Sequence, residues 1–295
     1  MMITNTKNFL NEKMSLIFQD FQRDIYKRGY LCQLKEFNFS GTRLPNYEDE
    51  MVQKFYLLKY LPAYLTEYYC IYKQVFERNF LNENCSILSL GCGCGVDLWG
   101  LNFLKEKEKL NCSINYTGID VVKWKYGEFS KMNGKFKNCN ILDIDNLEED
   151  YNTIIFPKSI SEFNEFAFQH LKDIFAKKRF NSNKIVLIGA IRKTRIDSDL
   201  QRLEKITDVF IRKHGYLVVD SETTISNDNA PYIYQVTNDI IFPREVLNYI
   251  TGLYTQCKKF KLTGKNCETA CSDLLKRSPI LKTSQMTFKI IYLER

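Results

Sequence analysis

The stretch SLGCGCGVD, from Ser89 to Asp97, combines residue types that bind ligands in many proteins. Three glycines alternate with two cysteines directly after the strand-like run CSILSL. A turn of this kind lets the backbone approach a nucleotide without a Cβ atom in the way. Two thiolates at this spacing could instead bind a metal ion, and a tight bend without any ligand is a third interpretation.

The spacing of the glycines excludes two common phosphate-binding motifs. A dinucleotide fingerprint, G-x-G-x-x-G, needs a third glycine where this chain has Val96 or Leu98, depending on which glycine is counted first. A P-loop needs Gly-Lys-Ser or Gly-Lys-Thr, which is absent from this turn. The pattern therefore disfavours a nicotinamide-dependent oxidoreductase.

Acidic residues recur where the following strands are predicted to end. The run INYTGID ends at Asp120, and FKNCNILDI places Asp143 after the next strand. The run YNTIIFPKS supplies a fourth strand, with a loop that starts near Phe156. In an open α/β sheet the ligand lies beyond the carboxyl ends of the strands, so these residues are predicted to lie beside the glycine turn.

The elements that position these residues form an α/β pattern. From residue 85 onwards, strand-like runs alternate with helical stretches such as 96–110 and 121–134, which predicts a parallel sheet with helices on both faces. The final runs, YLVVDSE and MTFKIIYLER, look like antiparallel strands added at a sheet edge. Apolar residues at helical spacing predict a helical region over residues 1–84, whose Tyr-rich helix at 56–72 acts as a lid or packs as core.

The G-x-G-x-G turn after the first strand resembles motif I of class I S-adenosylmethionine-dependent methyltransferases. With the later acids, the resemblance covers roughly residues 85–220. It implies a mostly parallel, seven-stranded, doubly wound sheet in a Rossmann-like domain over 85–295, with an insertion at about 222–284. It also implies S-adenosyl-L-methionine as cofactor. The residues to which it assigns cofactor binding are Gly91, Gly93, Gly95, Asp97, Asp120, Val121, Asp143, Ile144 and Phe156.

The resemblance also implies roles for individual residues. The Asp120 carboxylate is expected to accept both ribose hydroxyls, and Asp143 to accept the adenine amino group. The family usually has an acid two residues before the first glycine, where this chain has Ser89. Asp97 could instead meet the ammonium group of the cofactor, or only stabilise a helix dipole. Trp124 could pack on the adenine or the sulfonium, or belong to the core.

Three residues of the loop after the fourth strand are candidates for catalysis and for contact with the methyl acceptor: Lys158, Ser159 and Glu162. Lys158 could orient an anionic substrate, whereas Glu162 could accept a proton or bind a substrate amine. The alternative is that Ser159 and Glu162 form a capping box at the start of the next helix. A histidine base is not expected, because the chain has only His170 and His214.

The predicted function is that of an S-adenosylmethionine-dependent methyltransferase with an unidentified acceptor: RNA, a protein or a small molecule. Nine basic residues against three acids in 250–295 fit RNA as a partner. The alternative is a catalytically inactive methyltransferase-like module that binds a partner in a complex. The missing acid at Ser89 leaves room for this alternative.

The ten cysteines and the N-terminus bear on the compartment. The cysteines are scattered, the first residues lack the apolar core of a secretory signal, and no apolar run is long enough to span a membrane. We therefore expect a reduced, cytoplasmic protein that is not embedded in a membrane. Cys257, Cys267 and Cys271 lack a fourth ligand nearby, so no metal site is expected there.

Overall fold

A computed structural model of the chain describes residues 6–28, 45–80, 84–127, 134–225 and 286–295. Its helices are α1 (Thr6–Arg28), α2 (Glu50–Glu77), α3 (Val96–Lys107), α4 (Glu165–Lys177) and α5 (Ile196–His214). Its strands are β1 (Asn84–Leu90), β2 (Ser113–Asp120), β3 (Gly134–Asn138), β4 (Thr153–Pro157), β5 (Lys184–Ala190), β6 (Leu217–Ile225) and β7 (Thr287–Glu294). The described residues divide into two units, the second of which begins at Glu67. None of the described helices is long and apolar enough to cross a membrane.

The first unit consists of α1 and the part of α2 that precedes Glu67. The rings of Phe21 and Phe55 stack with their centroids 6.3 Å apart. Lys54 is almost completely buried, and its ammonium lies 2.6 Å from Asp24 Oδ2, so the buried charge is neutralised. The predicted helical pattern of this region is present, while its action as a lid stays a prediction.

The second unit contains a seven-stranded sheet in the order β3-β2-β1-β4-β5-β7-β6. Strands β1 to β5 pair in parallel. Strand β7 pairs antiparallel with both β5 and β6. The predicted α/β class, the mostly parallel sheet and the antiparallel pair at its edge are therefore confirmed.

The central strands are apolar over nearly their full length because helices cover the sheet. In β5, every residue from Ile185 to Ala190 is buried. Helices α4 and α5 contribute aromatic residues to this core, and the rings of Phe175 and Phe210 lie 5.7 Å apart. Burying each such ring stabilises the fold by about 1.5–3 kcal/mol. The sheet is therefore a rigid support for the loops at its carboxyl edge.

The segments around β3 differ from the sequence prediction. The predicted helix over 121–134 is absent from its described part, since residues 121–126 form bends and turns. Strand β3 ends at Asn138, and a 3-10 turn follows over Ile141–Asp143. The Asn140 side chain accepts a hydrogen bond from Leu142 N at 3.0 Å, which favours the turn over a longer strand. The predicted insertion lies outside the described residues from position 226 onwards.

Candidate active site

The glycine turn connects β1 to α3 at the carboxyl edge of the sheet. Gly91, Gly93 and Gly95 all have positive φ angles of 68°, 58° and 78°. The amide of Gly91 donates to Ile119 O at 2.8 Å, and the amide of Cys92 donates to the same oxygen at 3.2 Å. The left-handed backbone therefore requires glycine, and the turn is fixed to the end of β2.

The protein's own packing gives a second reason for two of these glycines. A Cβ atom at Gly91 would lie 2.4 Å from the Cβ of Ser159, and one at Gly95 would lie 2.7 Å from the Phe136 ring. At Gly93 the nearest atoms belong to Trp124, at 3.6 Å, which is an ordinary contact. At Gly91 and Gly95 the backbone thus lies so close to neighbouring side chains that a Cβ atom has no room, whether or not a ligand is bound.

Asp120 ends β2 directly beside this turn. Its Oδ2 accepts a hydrogen bond from Gly93 N at 2.7 Å, and its Oδ1 accepts one from Val122 N at 2.8 Å. Burial raises the pKa of this carboxyl group, while the two amide donors and the Trp124 side chain oppose the rise. A carboxylate has about four acceptor positions, so Asp120 keeps capacity for a further donor, such as a ribose hydroxyl.

Two apolar side chains near Asp120 are exposed at the same edge. Val121 is 64% exposed, and Leu142, in the 3-10 turn after β3, is 43% exposed. Asp143, next to Leu142, is also exposed, whereas the carbonyl of Ile144 accepts a hydrogen bond from His170 Nε2 at 3.0 Å. Exposed apolar groups beside exposed carboxylates suit a flat, polar-edged ring such as adenine. Sequence reasoning missed Leu142, because only the structure shows that this apolar residue faces solvent.

Asp97 lies at the start of α3 and is completely buried. Tyr116 Oη lies 3.0 Å from both of its carboxylate oxygens. Burial raises the pKa of Asp97 to about 6, and the hydroxyls of Ser89 and Tyr116 partly oppose this by stabilising the ionised form. The carboxylate is therefore held inside the protein below the turn, and its predicted contact with a cofactor ammonium stays a prediction.

Lys158 follows β4 with a left-handed backbone, at a φ of 63°. Its ammonium lies 2.7 Å from Glu67 Oε1 and 3.3 Å from Ile191 O. Only 10% of the Lys158 side chain and 3% of the Glu67 side chain are exposed. The ammonium that was predicted to orient an anionic substrate thus neutralises a buried carboxylate. Sequence reasoning missed Glu67, whose only signal is an acid within an apolar helical stretch.

Ser159 and Glu162 do not form the alternative capping box. Helix α4 begins at Glu165, and Asn164 caps it by accepting a hydrogen bond from Ala167 N at 2.9 Å. The Ser159 hydroxyl instead donates to the carbonyl of Leu90, at the end of β1. The interpretation of Ser159 and Glu162 as a helix cap is therefore wrong.

Glu162 lies in the loop between β4 and α4 and meets Arg192, which follows β5. Arg192 Nη1 lies 2.9 Å from Glu162 Oε1. Burial of the carboxyl group raises the pKa of Glu162 to about 7; Arg192 opposes the rise, and Asp120 and Asp199 add to it. Because 38% of the Glu162 side chain remains exposed, this group can still exchange a proton with a ligand.

Phe156, the remaining predicted site residue, is fully buried in β4. Its ring packs edge-on against Phe163 at a centroid distance of 6.4 Å, within the core cluster. Its side chain thus supports the loop that contains Lys158 from below, and its predicted role at the methyl-transfer pocket stays a prediction.

Metal binding finds no support within the part of the chain that the structure describes. No group of three His, Cys, Asp or Glu side chains there could hold a metal ion. Burial raises the pKa of the Cys92 and Cys94 thiols, so neither is a ready thiolate ligand. Cys257, Cys267 and Cys271 lie outside the described residues.

The sheet and the turn together define the class of fold. A glycine turn after β1, an acid at the tip of β2 and an antiparallel β7 between β5 and β6 are all present. The second unit therefore has the class I methyltransferase fold that the sequence resemblance implied.

Comparisons with known proteins add the following similarities. No protein-family model and no curated protein matches the sequence. The plantazolicin methyltransferase BpumL, in complex with a monoazolic desmethylPZN analog and SAH, is 14% identical, with 97% of this chain and 98% of that chain covered and a TM-score of 0.40. Coclaurine N-methyltransferase, bound to N-methylheliamine and SAH, is 14% identical, with 97% and 95% covered and a TM-score of 0.39. The cyclopropane synthase MmaA2 from Mycobacterium tuberculosis is 12% identical, with 76% and 84% covered and a TM-score of 0.37.

Proposed function

We propose that this protein is an enzyme that transfers a methyl group from S-adenosyl-L-methionine to an acceptor molecule. One observation supports this most strongly. The Asp120 carboxylate is tied to the glycine turn through Gly93 N at 2.7 Å and keeps capacity for a further hydrogen-bond donor. A ribose hydroxyl would be that donor.

The described residues fit the parts of the cofactor one by one. Asp120 would hold the ribose, and Val121 and Leu142 would cover the two faces of the adenine. Asp143 would accept its amino group. The turn from Gly91 to Gly95 would hold the amino-acid end of the molecule, with the buried charge of Asp97 below it.

The cofactor supplies a methyl group on a positively charged sulfur, and the protein supplies placement. Methyl transfer is an in-line displacement, for which orientation alone can lower the barrier by about 7–11 kcal/mol. The loop at Lys158 and Ser159 is held by the contacts to Glu67 and to Leu90 O. A loop fixed in this way can keep an acceptor in line with the methyl group.

Calorimetry with S-adenosylhomocysteine and with NAD tests the cofactor. We expect the first to bind and the second not to bind. The Asp120→Ala variant should lose at least 100-fold in affinity and remain folded, with a urea unfolding midpoint lowered by the loss of the two amide hydrogen bonds. The control is Asp173→Ala, which removes an exposed acid from α4 and should change nothing. A preference for NAD, or an unchanged affinity of Asp120→Ala, would contradict the proposal.

The acceptor in this proposal is RNA, a protein or a small molecule. Transfer of tritiated methyl groups into separated RNA, protein and metabolite pools identifies the class directly. Binding of S-adenosylhomocysteine without transfer into any pool would favour the inactive binding module.

Six described cysteines form no disulfide bond, which supports a reducing compartment. We therefore propose that the reaction takes place in the cytoplasm.

A further inference from the structure

Two carboxylates lie on either side of Arg192 at the carboxyl ends of β4 and β5. Arg192 Nη1 donates to Glu162 Oε1 at 2.9 Å, and Nη2 donates to Ser161 Oγ at 2.6 Å. The backbone amide of Arg192 donates to Asp199 Oδ2 at 3.2 Å. Asp199 belongs to the first turn of α5. Three separate segments of chain thus meet at Arg192, whose guanidinium contacts Ser161 and Glu162 and whose backbone amide contacts Asp199.

The hydrogen bonding of this group is incomplete. Asp199 is completely buried, yet its Oδ1 accepts no hydrogen bond from any of the described residues. Arg192 Nε is also buried and has no acceptor among them. Buried polar atoms in proteins are nearly always paired, and an unpaired carboxylate oxygen calls for a donor. A ligand with N–H groups would supply a donor for Asp199 Oδ1, which a phosphate could not do, although a phosphate could accept from Arg192 Nε.

The charges at this edge favour a cation over an anion. Asp120 and Asp199 both act on Glu162 from nearby, so three acids face one another, against Arg192 and Arg195. The ammonium of Lys158 does not change this balance, because Glu67 neutralises it. With Glu162 ionised, one negative charge remains in excess. A polyanionic acceptor such as RNA would be repelled, and a protonated amine would be attracted.

We propose that the methyl acceptor is a primary or secondary amine, bound as its ammonium form between Glu162 and Asp199, and that Glu162 removes its proton. This inference rests on the proposed methyltransferase function. The ammonium loses one proton to the Glu162 carboxylate. The nitrogen lone pair then forms a bond to the methyl carbon as the carbon–sulfur bond breaks. That electron pair stays on sulfur, which leaves S-adenosylhomocysteine and a methylated ammonium product.

The acid–base properties of Glu162 agree with this role. Its pKa of about 7 means that a substantial fraction is ionised at neutral pH and able to accept a proton. A base with a pKa near the working pH combines availability with a useful driving force.

The class of acceptor is tested with tritiated S-adenosylmethionine and a cell extract separated by cation exchange. We expect label in peptides or metabolites that bind the cation exchanger, in a form stable to alkali that hydrolyses methyl esters. Treatment of the extract with acetic anhydride, which blocks amines, should abolish the labelling. Label in RNA, in alkali-labile esters, or in acceptors that survive acetylation would overturn the amine inference.

The role of Glu162 is tested with Glu162→Gln on the labelled fraction. We expect kcat/KM to fall at least 100-fold at pH 7, and the rise in rate around pH 7 to disappear, with binding of S-adenosylhomocysteine unchanged. The matched control is Glu165→Gln, which changes a largely exposed acid three residues further on. A pH–rate profile of Glu162→Gln identical to that of the wild type would overturn the assignment.

The two proposals fail differently. If wild-type protein does not bind S-adenosylhomocysteine and labels no pool, the methyltransferase function itself is wrong. If it binds S-adenosylhomocysteine and labels another pool but no amine fraction, only the amine inference is wrong.

Discussion

The ion pair between Lys158 and Glu67 offers a quantitative test of the proposed active-site loop. The two charged atoms lie 2.7 Å apart, and their side chains are only 10% and 3% exposed. Burial raises the pKa of Glu67, and Lys158 is the main influence that opposes the rise. Lys158→Met keeps the length of the side chain and removes its charge, so Glu67 stays behind as an uncompensated buried acid.

Removal of one partner from a buried ion pair destabilises a protein by about 3–5 kcal/mol, because the remaining charge loses its compensation. We expect this loss for Lys158→Met. The double variant Lys158→Met with Glu67→Leu removes both charges and should unfold within about 1–2 kcal/mol of the wild type. Both variants keep a Cβ atom at position 158, so the left-handed backbone costs the same in each.

Urea unfolding at pH 7 measures these differences, with Lys184→Met as control. Lys184 lies 3.9 Å from Glu294 in an exposed pair, so its loss should cost less than about 1 kcal/mol. The stability loss of Lys158→Met should grow as pH rises. The pKa of Glu67 is raised in the folded state, so ionisation at higher pH favours the unfolded state. A stability loss below about 1 kcal/mol for Lys158→Met refutes the reasoning. So does a double variant whose loss equals the sum of the losses of Lys158→Met and Glu67→Leu measured separately.

Two further variants test the glycine turn. Burial raises the pKa of Asp97 from 3.8 to about 6, so ionisation should cost the wild type about 2 kcal/mol of stability as pH rises from 4 to 7. Asp97→Asn should lack this slope in urea unfolding, and an unchanged slope would contradict the assignment. Gly91→Ala should cost more than Gly215→Ala: both have positive φ, but only the Cβ at position 91 meets another atom, Ser159 Cβ, at 2.4 Å. Unfolding midpoints compare the two, and equal losses would show that the contact is unimportant.

Several elements of the site were predictable because they are local. A strand followed by alternating glycines, and acids at the tips of later strands, are visible in any short window of sequence. Asp120 was therefore predicted at the end of β2, and the structure places it beside Gly93. The sheet follows from the same reasoning, since parallel strands align their carboxyl ends along one edge.

The parts that escaped prediction depend on contacts between distant residues. Glu67 and Lys158 are 91 positions apart, and no local pattern connects them. Ser159 shows the same effect, since its sequence spacing to Glu162 suits a helix cap. Its hydroxyl instead binds the carbonyl of Leu90, 69 positions away. Asn164 then caps the helix, so a tertiary contact decided between two locally acceptable caps.

The serine at position 89 is explained by the same kind of contact. The family pattern places an acid at that point of β1, and this chain has a hydroxyl there instead. The structure supplies a carboxylate from the next element, because Asp97 lies in the first turn of α3 with Tyr116 Oη 3.0 Å from both of its oxygens. The Ser89 hydroxyl helps to oppose the rise in the pKa of Asp97. A second acid at position 89 would place two buried carboxylates together, which raises the cost of ionising either one. Serine at position 89 therefore leaves room for the buried carboxylate of Asp97. The negative charge below the turn comes from position 97 instead of position 89.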